Sequence, residues 1–89
     1  MSTEPSTNVW HGPEDTANLK ARVSLMRALK SHIDRAGWTQ AQAAQAFHVT
    51  QPRISDLQRG KIALFSVDSL INMTAIAGMR VELRVLDAP

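Results

Sequence analysis

The residues best suited to chemistry in this 89-residue chain lie between Thr50 and Lys61. Ile54 and Leu57 are the large apolar residues of the stretch, and their spacing of three places them on one face of a helix. The other face would carry side chains that donate and accept hydrogen bonds. A helix of this kind fits the major groove of DNA, where such side chains read base edges. The outward-facing residues are Gln51, Pro52, Arg53, Ser55, Asp56 and Arg59.

Two short helices are predicted to position these side chains. Thr39 is a favourable N-cap for an Ala-rich helix that begins at Gln40, and Thr50 is a favourable N-cap for the next helix. Pro52 falls in the first turn of that second helix, where its missing N–H costs no hydrogen bond. About three residues separate the two helices, which is the spacing of a helix-turn-helix unit.

Two further helices are predicted on either side of this unit. Apolar residues recur at spacings of three and four from Glu14 onward, which indicates a long amphipathic helix that ends at Gly37. Ser66 is predicted to cap a last helix that ends at Gly78. The inner face of this last helix is predicted to consist of Val67, Leu70, Ile71, Thr74, Ile76 and Ala77.

Residues 79–85 alternate strictly between apolar and charged side chains, and this pattern predicts a β-strand over residues 79–86. A lone strand leaves its backbone groups unpaired. The segment is therefore predicted to pair either with a second copy of itself or with Asn8–Trp10. In the first case it forms a dimer interface through Met79, Val81, Leu83 and Val85.

The length of the chain predicts one domain. Residues 1–13 are predicted to be a disordered lead with a short apolar segment, residues 14–78 the helix-turn-helix domain, and residues 79–89 the strand and tail. The chain has no cysteine, which excludes disulfides and cysteine-based zinc sites. No signal peptide or membrane span is recognisable, so the predicted location is the cytoplasm.

Charge distribution favours a polyanionic partner. Residues 14–61 contain eight Lys and Arg against four Asp and Glu, and the rest of the chain contains two against four. The three histidines are scattered, so no metal site is predicted. No catalytic triad, paired acid or glycine-rich phosphate loop is recognisable, so neither an enzyme nor a cofactor is predicted.

The stretch TQAQAAQAFHVTQPRISDLQRGK, residues 39–61, resembles the helix-turn-helix of the XRE family, which includes the lambdoid phage repressors. The resemblance implies an all-α, lambda-repressor-like bundle of four to five helices, here with the C-terminal β-strand added. His48 stands where the family usually has Gly, at a position that requires a positive φ. Within the family, NVW, RGKIALFSVDSLINM and the closing segment resemble HigA-like antitoxins of toxin–antitoxin modules.

The resemblance also implies a role for each residue of the outward face. Gln51 would read a base, with Gln40 holding a phosphate and bracing Gln51. The full base-reading set would be Gln51, Pro52, Arg53, Ser55 and Asp56, and the phosphate-binding set Thr39, Gln40, Arg59, Gly60 and Lys61. For Asp56 an alternative is open, namely an ion pair with Arg53 or Arg59 on the helix surface.

These observations predict a homodimeric repressor that binds a palindromic operator in double-stranded DNA. The resemblance further implies an antitoxin that represses its own operon and neutralises a RelE-fold toxin, an RNA-cleaving enzyme. One alternative is a stand-alone or phage-type repressor without a toxin. The other is a protein-interaction module that binds no DNA and uses its acidic C-terminal part.

Overall fold

The computed structural model of the chain describes residues 13–87, and the side chains of residues 16–87. Four α-helices and a short 3-10 helix follow one another along the described residues. Their bounds are Pro13–Ala36 for α1, Gln40–Phe47 for α2, Gln51–Gln58 for α3, Ile62–Leu64 for the 3-10 helix and Val67–Ile76 for α4. This arrangement agrees with the predicted helix-turn-helix bundle. The predicted lead of residues 1–13 lies almost wholly outside the described residues.

The predicted helix starts are confirmed by hydrogen bonds at each cap. The Thr39 hydroxyl accepts from the Gln42 N–H at 3.1 Å, and Gln42 Oε1 accepts from the Thr39 N–H at 2.9 Å, which is a complete capping box. The Thr50 and Ser66 hydroxyls accept from the N–H groups three residues ahead in α3 and α4. These contacts satisfy backbone donors that have no partner inside their helices.

Left-handed residues follow all four α-helices, and the one after α3 is Gly60 with φ 73°. Gly37 and Gly78 follow α1 and α4 with φ of 69° and 79°. His48 ends α2 with φ 57° and ψ 45°, the same left-handed region, although it carries a Cβ. A side chain in this region is strained, so the turn between α2 and α3 contains a small local cost that a glycine would avoid.

All four α-helices and the residue that precedes the α4 cap contribute to one apolar core. The buried set is Met26, Leu29, Ile33, Ala43, Ala44, Phe47, Ile54, Leu57, Phe65, Leu70 and Met73. The prediction for α4 is wrong in part, because Ile71 and Ile76 are 37% and 46% exposed. At 100° per residue, Leu70, Met73 and Thr74 share the inner face, and Ile71 and Ile76 fall to its sides.

The predicted C-terminal β-strand is wrong. Within residues 13–87 the structure contains no strand, and residues 79–87 are irregular. The alternating pattern would place the apolar residues on one face of a strand and the charged residues on the other. A strand forms, however, only where a neighbouring strand donates and accepts its backbone hydrogen bonds. No described segment lies beside residues 79–87 in that way, and Asn8–Trp10 falls outside the described part. Among the helices described, none has the length and apolar content that would let it span a bilayer.

Candidate nucleic-acid interface

The outward face of α3 is set by the two residues that anchor its inner face. Ile54 and Leu57 are completely buried, and α2 packs against α3. Gln51 and Pro52 lie at the start of the helix and are exposed, and Ser55 lies one turn after Gln51 and is half-buried. The structure therefore brings Gln51, Pro52 and Ser55 to one accessible edge of a short helix.

Arg53 behaves differently from these neighbours. Its Nη1 donates to the Leu64 carbonyl oxygen at 2.7 Å, and its guanidinium carbon lies 4.0 Å from the centroid of the Phe65 ring. Phe65 belongs to the core and is 2% exposed. The Arg53 side chain thus folds back from α3 toward the segment that leads into α4.

Asp56 has a partner that the sequence did not indicate. Its Oδ1 lies 3.9 Å from Lys61 Nζ, and its side chain is 28% exposed. The backbone N–H of Lys61 also donates to the Asp56 carbonyl oxygen at 3.0 Å. Both residues are half-buried or exposed, so the ion pair contributes at most about 1 kcal/mol. The pairing with Lys61 takes the place of the pairing with Arg53 or Arg59 considered from the sequence.

The residues of the predicted phosphate-binding set occupy two places. Thr39 and Gln40 begin α2, and both are exposed. The other three residues follow α3 and are also exposed, namely Arg59, Gly60 and Lys61. Gly60 is left-handed, with φ 73°. The start of a helix presents N–H groups and a positive dipole end, and both favour a phosphate.

Gln40 does not brace Gln51 as the resemblance implied. Its Nε2 donates instead to Gln58 Oε1 at 3.0 Å, which joins the first residue of α2 to the last residue of α3. Because 18 positions separate these residues, no local pattern would have indicated the contact. Gln51 is left exposed at the tip of α3.

Arg22 of α1 makes two hydrogen bonds in the same region. Its Nε donates to Asn18 Oδ1 at 2.8 Å, and its Nη1 donates to the Ile62 carbonyl oxygen at 3.1 Å. The first contact joins residues four apart in α1, a spacing that places two side chains next to each other on a helix. The second depends on how α1 packs on the 3-10 helix.

No group of three or more His, Asp or Glu side chains suited to a metal occurs in the described part of the chain.

Comparisons with known proteins agree with this geometry. A family described as a helix-turn-helix domain matches residues 11–86. A solved structure named as a candidate XRE family transcriptional regulator is 32% identical to the chain, with a TM-score of 0.77. That match covers 84% of this chain and 84% of the other. No curated protein matches the chain.

Proposed function

We propose that this chain is an operator-specific repressor. It belongs to the helix-turn-helix domain family, of XRE type, and is a DNA-binding transcriptional regulator rather than an enzyme. The observation that carries the proposal is the two-sided character of α3. Its inner residues Ile54 and Leu57 are completely buried, and Gln51 and Pro52 are exposed at its start. A helix held in this way can enter the major groove with its first residues against the bases.

The base-reading role is proposed for the residues on the exposed edge. Gln51 can contact adenine through both atoms of its side-chain amide, with the oxygen accepting from N6 and the NH2 group donating to N7, and Pro52 can contact a thymine methyl. Ser55 can donate to or accept from a base edge one turn further along. Asp56 would accept from cytosine, but its carboxylate is also held near Lys61.

The phosphate-binding role is proposed for the start of α2 and the residues after α3. Thr39 and Gln40 supply a hydroxyl, an amide and the first backbone N–H groups of α2. Arg59 and Lys61 would contact phosphates on the other side of the groove. Gly60, whose N–H donates to the Leu57 carbonyl oxygen at 3.0 Å, would let the chain turn between them. These contacts fix the position of α3 on the duplex and do not depend on sequence.

We place the repressor in a homodimer joined through residues 79–89. Val81, Leu83 and Val85 are 42%, 86% and 86% exposed, and closely spaced exposed apolar residues are typical of a protein–protein contact surface. Met79 packs partly against the core of its own chain and so anchors the segment. A two-fold dimer would place two recognition helices about 34 Å apart on a palindrome.

The dimer interface can be tested by changing one exposed apolar residue. Leu83→Lys should shift the mass measured by light scattering from dimer to monomer, because a buried lysine would oppose association. Lys30→Leu, a substitution of similar size on α1, should leave the mass unchanged. A wild-type chain that is monomeric at micromolar concentration would contradict the interface.

The finer proposal is an antitoxin that represses its own operon and neutralises a RelE-fold toxin. Its support is the resemblance of residues 59–73 and of the closing segment to HigA-like antitoxins. The test is co-expression with the adjacent reading frame. A small basic protein that co-purifies with the chain, and whose RNA cleavage the chain blocks, is the expected result. A gene with no such neighbour would contradict the antitoxin proposal and support a stand-alone repressor.

DNA binding itself is tested by a gel shift on the DNA upstream of the gene over a series of salt concentrations. The expected result is a complex whose affinity for the operator exceeds its affinity for unrelated DNA by about 10³-fold or more. The logarithm of affinity should fall linearly with the logarithm of salt concentration. Equal affinity for operator and unrelated DNA would contradict sequence-specific repression.

A further inference from the structure

Arg53 is the one long cationic side chain on α3 that is anchored within the protein. Its guanidinium lies over the Phe65 ring at 4.0 Å, and one of its N–H groups is bound to the Leu64 carbonyl oxygen at 2.7 Å. Phe65 cannot follow a motion of Arg53, because its ring is buried in the core. The guanidinium is therefore held between a fixed aromatic face and a fixed backbone acceptor.

This location conflicts with reading a guanine. A bidentate guanine contact requires two N–H groups on one edge of the guanidinium to reach O6 and N7 in the groove. Arg53 would have to leave both the ring and the Leu64 carbonyl to make that contact. Gln51 and Pro52, by contrast, are exposed and have no such contacts to lose among the described residues.

The anchoring contacts join elements that must keep a defined relative position. Arg53 belongs to α3, Leu64 ends the 3-10 helix, and Phe65 directly precedes the cap of α4. The Arg22 guanidinium of α1 binds the Ile62 carbonyl of the same 3-10 helix at 3.1 Å. The segment that carries Lys61 into α4 is thus tied to α3 by one arginine and to α1 by another.

We propose that Arg53 is a positioning residue that fixes α3 relative to the 3-10 helix and α4, and that it reads no base. The proposal rests on the proposed function, since it concerns how a DNA-bound helix is oriented. Fixing α3 also fixes its distance from the phosphate-binding residues that follow it. The exposed residues of α3 then discriminate between base pairs, and Arg53 contributes equally to the affinity for every DNA sequence.

The test compares Arg53→Met with Gln51→Ala on the operator and on a set of operators with single base-pair changes. Arg53→Met keeps a long apolar side chain over the ring and removes the guanidinium. It should weaken binding to all of these DNAs by one common factor, with the ranking of the base pairs unchanged. Gln51→Ala should instead relax discrimination at one base pair, by about 5- to 160-fold. Circular dichroism at the assay temperature checks that each variant is fully folded, so that a common loss reflects positioning and not unfolding.

A second arm examines the aromatic partner and the salt dependence. Phe65→Leu removes the ring and leaves Arg53 in place, and it should reproduce the common loss seen with Arg53→Met. The double variant should lose less than the two single losses combined, because the two residues act through one contact. The salt slope should stay as in the wild type for Arg53→Met, because Arg53 neutralises no phosphate in this scheme.

A spectroscopic arm needs no substitution. The Phe65 ring should shift the Arg53 guanidinium resonances upfield in the free protein, and the shift should persist when operator DNA is added. Loss of that shift on binding, or relaxed discrimination at one base pair in Arg53→Met, would overturn the proposal and make Arg53 a base reader. A wild-type chain that binds no upstream DNA would instead overturn the proposed function, and this inference with it.

Discussion

Replacing the Asp56 carboxylate by an amide is expected to strengthen DNA binding. Asp56 lies on α3, and its negative charge would face the phosphates of any bound duplex. At a separation of about 8 Å, two like charges repel by roughly 0.5 kcal/mol in bulk water and roughly 2 kcal/mol at a protein surface before screening by salt. Because about 8 Å is one Debye length in physiological salt, screening reduces these energies to about 0.2 and 0.8 kcal/mol. Removing the charge should therefore raise affinity by about 1.4- to 4-fold.

The cost of the substitution to the folded protein is small. The Asp56–Lys61 pair spans 3.9 Å between partly exposed side chains, so its loss should reduce the free energy of unfolding by no more than about 1 kcal/mol. Without the ion pair to Asp56, Lys61 is free to approach a phosphate. Asp56→Asn should therefore bind both operator and unrelated DNA more tightly, with the unfolding temperature lowered by no more than about 4–8 °C.

The assay is a fluorescence anisotropy titration on operator and on unrelated DNA at two salt concentrations. Glu82→Gln is the matched control, because it removes one negative charge and one ion pair, Arg80–Glu82 at 3.3 Å, in the C-terminal segment. Glu82 is 74% exposed and is not one of the apolar residues proposed for the dimer interface, so the control should leave both the dimer mass by light scattering and the DNA affinity nearly unchanged. If Asp56→Asn instead lost operator affinity and kept its affinity for unrelated DNA, the carboxylate would be accepting from a cytosine, and the repulsion argument would be refuted.

Three further substitutions test the interface and the fold. Lys61→Ala should lower the salt slope of DNA binding by about 0.9, one phosphate contact, for every sequence; an unchanged slope would remove Lys61 from the phosphate-binding set. His48→Gly should raise the free energy of unfolding by roughly 0.5–1 kcal/mol in urea titrations, because it relieves a left-handed Cβ but adds backbone freedom; a less stable variant would refute the strain argument. Ile54→Ala, at a completely buried position, should cost roughly 2–5 kcal/mol in the same titrations, and a loss below 1 kcal/mol would mean that α3 is held by other contacts.

The sequence by itself determined where the described helices begin and end. Thr39, Thr50 and Ser66 cap helices because a hydroxyl reaches an N–H two or three residues ahead, whatever the rest of the chain does. The burial of Ile54 and Leu57 also followed from spacing alone, since a helix places residues three apart on one face. These features depend on interactions within a few residues, and such interactions can be predicted from a short stretch of sequence.

Only the tertiary structure decided how the polar side chains of the interface are used. Gln40 bonds to Gln58, and Arg53 lies over Phe65, because packing of α2, α3 and α4 brings distant residues within reach. The same reason explains why the predicted β-strand is wrong, since residues 79–85 alternate between apolar and charged side chains but have no neighbouring strand among the described residues. Side-chain partners and strand pairing both depend on which distant residues and backbone segments the fold brings into contact. The spacing of residues along the chain does not contain that information.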